Sequence, residues 1–187
     1  MRIIKVFAIT TFVLTLFILS QETSAQDKKA DDPKVVLPKD AKAVVISYDP
    51  GAGGFIRKGE APYLKIQADG SVTVTNLHNG EKKEAKLAAK ELDELVRFVI
   101  YDKKFFDVTE KKMNDAIKEA AGKGPFIAIG GAGTSKIIVE ANGKKHEVSF
   151  RAASAYTSAY PKVEVVPQFV AIEKRLSEYA NAVAKGK

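Results

Sequence analysis

There is no cysteine in these 187 residues and no tryptophan. Without thiols the chain forms no disulfide and builds no cysteine zinc site. It also has no cysteine after its first apolar run, which excludes a bacterial lipoprotein anchor. Histidine is almost as scarce. His78 and His146 are the only imidazoles, and no His-x-x-x-His spacing joins them. A metal centre needs a clustered ligand set, so no metal and no cofactor are expected. His78 falls in a turn and His146 in a strand, where both read as ordinary surface or edge residues.

Catalytic signatures are missing as well. The Gly-x-Ser-x-Gly elbow of serine hydrolases does not occur. Ser-x-x-Lys is absent too, because Ser135 is followed directly by Lys136. Paired carboxylates for glycosidic chemistry need no local motif. Glu91, Asp93, Glu94, Glu110 and Asp115, however, fall on helices whose wet faces need charge. No catalytic residue is therefore assigned. The stretch Gly130 to Lys136, GGAGTSK, lacks the spacing of a phosphate loop and leads into a strand pattern. A phosphate site of that kind needs a helix N-terminus.

What is present begins with an address. Arg2 and Lys5 precede an apolar run, Val6 to Leu19, and Thr23-Ser24-Ala25 supplies small residues before Gln26. That is the three-part pattern of a secretory signal peptide, residues 1–25. The run is short for a membrane span of about 20 residues, although an uncleaved anchor is the alternative. No second apolar span follows, so no stable membrane span is expected after cleavage. The reading is a bacterial protein of the periplasm or the cell exterior.

The net charge is +7. Losing residues 1–25 removes Arg2, Lys5 and Glu22 and leaves the chain one positive charge lower. An envelope protein or an anionic envelope polymer is a possible partner on that ground. The lysines are dispersed, however, which also describes a plain soluble surface. No nucleic-acid motif occurs, and an exported address argues against that partner.

Residues 26–42 are polar and carry Pro33 and Pro38, the composition of a flexible leader. A single domain, 43–187, follows. Ala43 to Tyr48 reads as a strand, broken by Asp49-Pro50-Gly51-Ala52-Gly53-Gly54. Ala61 to Lys86 is the organising stretch, a three-stranded meander with turns at Asp69-Gly70 and Asn79-Gly80. Its third strand is so charged that it belongs at an edge. Leu87 to Tyr101 carries Leu92, Leu95, Val96 and Val99 at helical spacing. Phe105-Phe106 should enter the core after it. Thr109 is placed to cap a second helix to Ala121. A second hairpin turns at Asn142-Gly143. Ala152 to Pro161 has the makings of a short helix, and Pro167 to Ala184 closes the chain as a longer one. Its expected buried stripe is Phe169, Ile172, Leu176, Tyr179 and Val183. These elements predict an α+β fold, an antiparallel sheet of about five or six strands with helices packed mainly on one face.

Two groups of residues are candidate binding anchors. Phe55 and Arg57 follow the Pro50 to Gly54 loop. Arg151, Tyr156 and Tyr160 follow the second hairpin, although tyrosines also pack on sheets with only the hydroxyl at the rim. Together they give a non-enzymatic binding or interaction domain. The alternatives are a hydrolase with a motif-free carboxylate site and a periplasmic inhibitor presenting the Pro50 to Phe55 loop.

The order of pieces adds a resemblance. A hairpin with an Ala-Asp-Gly turn, Leu64 to Val74, precedes a helix ending in paired aromatics, LDELVRFVIYDKKFF. The hairpin IIVEANGKKHEVSF and the helix VPQFVAIEKRLSEYA follow. This is similar to small exported bacterial domains of unknown function. Some of those domains carry a cysteine pair after the first strand. Here that position is Pro50-Gly51-Ala52-Gly53-Gly54, so any redox or metal role of such a pair is lost. The resemblance implies no activity and no site residues.

Overall fold

Residues of alternating polarity set the sheet. The computed structural model describes residues 33–51, 62–122, 129 and 131–186. In it Leu64 and Ile66 are buried while Lys65 and Gln67 stay wetter, which makes Leu64–Gln67 a strand with one dry face, β2. Val72 and Val74 do the same in β3, Ser71–Thr75. The remaining strands are β1, Val44–Asp49, and β4, Lys82–Lys86, with β5, Thr134–Ala141, and β6, Lys144–Arg151. All pair antiparallel in the order β4-β3-β2-β1-β5-β6. The fold is α+β, as the sequence predicts, and the charged β4 lies at an edge.

Register explains where the core is. Val74, Leu64, Tyr48, Ile137 and Val148 stand opposite one another across five strands, and so do Val72, Ile66, Ile46, Val139 and His146. Directly opposed residues share a face, so these rows form one apolar surface. The intervening row, Glu84, Thr73, Lys65, Ser47, Ile138 and Glu147, is mostly polar and faces the other way. A bulge between Val44 and Ile46 brings the successive residues Val45 and Ile46 both to full burial.

Helices cover the apolar rows. The first is α1, Ala89–Arg97, with Leu92, Leu95 and Val96 inward. It starts later than its apolar pattern because the Leu87 amide donates to the Gly70 carbonyl, keeping Leu87 on the sheet. The Glu91 carboxylate then accepts the Ala88 amide at 2.8 Å and caps the first turn. A widened π turn, Phe98–Asp102, continues α1 and a 3-10 turn, Phe105–Asp107, follows. Phe105 is fully buried; Phe106 is only half-buried. The second helix is α2, Glu110–Ala121, and Thr109 caps it by accepting the Lys112 amide. After the sheet is completed come α3, Ala153–Ala159, and α4, Val165–Ala184. Phe169, Ile172, Leu176 and Val183 of α4 are buried as its pattern predicts, whereas Tyr179 sits at the flank. Each such apolar side chain stabilises the fold by about 1.5–3 kcal/mol.

One departure concerns the start of the fold, and one expectation about a glycine stretch is met. Residues 34–42, with the composition of a flexible leader, are tied to the fold. Val35 is buried, the Ala41 carbonyl accepts the Asp69 amide, and the Tyr101 hydroxyl donates to the Lys34 carbonyl. The compact unit accordingly starts at Lys34. The composition misleads here because one buried valine and a few backbone bonds suffice to hold a strap. Gly131 and Gly133 lead into β5 and not into a helix, so this stretch lacks the framework of a phosphate loop.

Candidate functional site

The polar residues that matter most are those on the wrong side of an apolar face. Tyr48 lies in an inward row of β1 and is 3% exposed. Its hydroxyl is 3.0 Å from that of Ser177, on α4. One turn earlier on α4, Glu173 is buried at 9% exposure between Ile172 and Leu176. Ser135, at the start of β5, reaches the Glu173 carboxyl and also donates to the Pro50 carbonyl at 3.1 Å. These groups line a pocket of about 400 Å³ at the end of the sheet where β1 leaves and β5 enters. Val170 supplies apolar wall, and Lys174 lies at its edge with its side chain 76% exposed and directed to Glu178.

Backbone geometry builds this end of the sheet. Gly51 has φ +70°, and a Cβ there would lie 2.3 Å from the Thr134 carbonyl oxygen. Only glycine lets the chain leaving β1 cross so close to the first residue of β5. That crossing sets Pro50 over Ser135. Burial pushes the Glu173 carboxyl up from its ordinary value, and the Ser135 hydroxyl opposes this in part. Burial also pushes the Tyr48 phenol up to about 12, so it stays protonated and can serve as donor.

Protons are short in this cluster. Ser135 has one, and both Pro50 and Glu173 can accept it. With Glu173 protonated the chain closes: the acid donates to Ser135, which donates to Pro50. With Glu173 ionised, Ser135 can serve only one of the two. Among the described residues no cation forms an ion pair with Glu173. No second buried acid stands beside it either, so a carboxylate pair is not assembled among the described residues. Nor do the described residues contain a group of His, Cys, Asp and Glu able to hold a metal ion.

The residues singled out from sequence are distributed differently. Phe55 and Arg57 lie outside the described residues. Tyr156 packs at 6.0 Å from Phe150 and stacks at 6.4 Å on Tyr160, both tyrosines half-buried on α3 and its end. Arg151 is exposed and donates to the Ala132 carbonyl. Strand alternation puts it on the face opposite Phe150, so the arginine and the tyrosines do not form one surface. His146 lies on the edge strand β6, as expected, and is half-buried. It stands in an inward row, 5.2 Å from the Phe105 ring, with Nε2 2.7 Å from the Val108 carbonyl oxygen. Sequence reasoning passed over Tyr48, Ser135, Glu173 and Ser177. The available signal was spacing: Glu173 and Ser177 are one turn apart and each follows a buried stripe residue, Ile172 or Leu176.

A second hollow, of about 480 Å³, is lined by Tyr63, Leu77, His78 and Ala184 among others. It contains no buried charge. A minority of the surface cations form ion pairs, among them Lys42 and Lys86 with Asp69, Lys136 with Glu147, Arg97 with Asp93, and Lys111 with Asp115. No helix of the described residues is long and apolar enough to cross a membrane. No protein-family model, curated protein or solved structure matches this chain.

Proposed function

We propose that this chain is an exported, non-enzymatic binding domain, and that its ligand is a small polar molecule held in the pocket of Tyr48, Ser135, Glu173 and Ser177. One observation carries the reading. A carboxyl is buried on the inward flank of α4 with no cation paired to it among the described residues. Burying such a group costs stability unless partners repay it. Convergent polar groups in a concave, partly apolar site are the usual form of a small-molecule pocket. Export rests on the pattern of residues 1–25.

A protein or polymer partner is less well supported. Among the described residues the large hydrophobic side chains left exposed are Val36 and Val44, which do not amount to an apolar docking patch. The lysines are dispersed along the chain and not gathered in one block, which offers an anionic polymer no concentrated site. A lone acid also does not make the two-carboxylate site of a glycosidase.

The test pairs retention with stability. The protein is purified from its own compartment and denatured, and released small molecules are identified by mass spectrometry. Glu173→Leu is treated in parallel. A released compound that the variant does not retain, together with a variant more stable by about 0.5–2 kcal/mol, supports a site kept for binding at the expense of stability. No compound from either protein and a destabilised variant would make the cluster purely structural.

A further inference from the structure

Resting on that reading of the pocket, we infer that the ligand carries an ammonium group, which seats against the Glu173 carboxylate. No cation among the described residues pairs with this buried acid. The Pro50 carbonyl and the Glu173 oxygens compete for the Ser135 proton, and the Tyr48–Ser177 pair uses one of its two hydroxyl protons internally. A primary ammonium brings three N–H donors and one positive charge. It satisfies the Pro50 carbonyl, the Glu173 carboxylate and one hydroxyl oxygen at once. It also supplies the counter-ion that the described residues do not give Glu173.

The competing ligand chemistries fit less well. A carboxylate or phosphate would set a second negative charge at close range to Glu173 and give it no donor. A neutral polyol could donate to Glu173 but would leave its charge uncompensated. Lys174 does not fill the cation's place, because its amine lies 3.9 Å from Glu178 and in solvent. Among the described residues, Tyr48 from β1 also faces Glu173, with Lys174 at the pocket edge. β5 and α3 present Ser135 and Ser154.

The exchange balances as a proton displacement. Burial favours the protonated form of Glu173, and an ammonium against it favours the ionised form. Any proton the carboxyl carries when an ammonium enters leaves to solvent, and the ammonium charge replaces it. Binding therefore lowers the carboxyl's titration midpoint, which a neutral ligand would not do.

The experiment is an NMR titration of the Glu173 side-chain carboxyl carbon in the purified protein, with n-butylammonium, n-butanol, butyrate and methyl glucoside as probes. The expected result is saturable binding of n-butylammonium with a lowered Glu173 titration midpoint. Glu173→Gln should weaken it by about tenfold or more, the loss of a charge-assisted bond. The variant's amide spectrum verifies that it folds. Saturation by methyl glucoside, n-butanol or butyrate while n-butylammonium fails overturns the ammonium inference and leaves the pocket a ligand site. No perturbation of Tyr48, Ser135 or Glu173 by any probe overturns the ammonium inference as well, and compound release from the purified protein then decides the pocket reading separately.

Discussion

Val36 and Asn142 bind each other twice. The Val36 amide donates to the Asn142 side-chain oxygen at 2.7 Å, and the Asn142 amide returns a bond of 2.7 Å to the Val36 carbonyl. Asn142 is also the first residue of the β5–β6 turn, at φ +54°, and its side-chain amide donates to the Tyr101 hydroxyl. One residue thus makes a hairpin turn and clasps the strap that precedes β1. Asn142→Gly keeps the left-handed turn and loses the clasp, and should cost about 1 kcal/mol or more. Asn142→Ala adds backbone strain and should cost more. Urea unfolding ranks the two, and hydrogen exchange should show the Val36 amide unprotected in both.

Gly70 sits at φ +81°, and a Cβ there would come within 2.6 Å of the Leu87 carbonyl oxygen. Gly70→Ala should therefore destabilise the β2–β3 turn by about 1–3 kcal/mol, from strain at an unfavourable φ and displacement of Leu87. The bond from the Leu87 amide to the Gly70 carbonyl reports this directly, as early exchange of the Leu87 amide. An unchanged unfolding midpoint would contradict the strain argument.

Two carboxyls respond to pH in opposite directions. Glu173 has a raised pKa in the fold. The folded state therefore holds its proton more tightly, and stability is gained as pH falls through the raised value toward the ordinary one. Asp69 is the reverse. The Ser71 amide and hydroxyl, with Lys42, hold its carboxyl well below the usual range. Its contribution is present above the ordinary aspartate value and is lost as pH falls through the lowered one. Compared with wild type, Glu173→Gln should flatten the gain just above the glutamate range. Asp69→Asn should flatten the loss at more acid pH. Thermal unfolding across pH separates them.

The Tyr48–Ser177 contact couples β1 to α4 directly. A double-mutant cycle with Tyr48→Phe and Ser177→Ala should give a coupling of about 0.5–1.5 kcal/mol, the net worth of one hydrogen bond. If the pocket binds its ligand through these hydroxyls, each single variant should also weaken binding while leaving the fold intact.

Much of the architecture could be read from residue order. Thr109 as a helix cap, the turn at Asn142-Gly143 and the charged outer strand are local signals, and local chemistry decides them. The pocket was not legible for the opposite reason. Ser135 and Pro50 are 85 residues apart, and Tyr48 and Ser177 are 129 apart. No local pattern brings such pairs together. The depth of Glu173 depends on how α4 is rotated against the sheet, which a helical stripe fixes only to within a residue on either flank. The strap from Lys34 to Lys42 escaped notice because its bonds are to the backbone of distant turns, which composition does not record.

The position of β1 has a consequence in time. Among the described strands it is the first to be made, yet it lies inside the sheet, and its second neighbour, β5, begins some 85 residues later. The β1–β4 meander can form as soon as it is synthesised. Until β5 arrives, one side of Val44–Asp49 presents a row of unsatisfied amides and carbonyls beside Ile46 and Tyr48. Newborn chains are therefore most prone to stick to one another in that interval. A chaperone that shields VVISYD would protect the whole molecule.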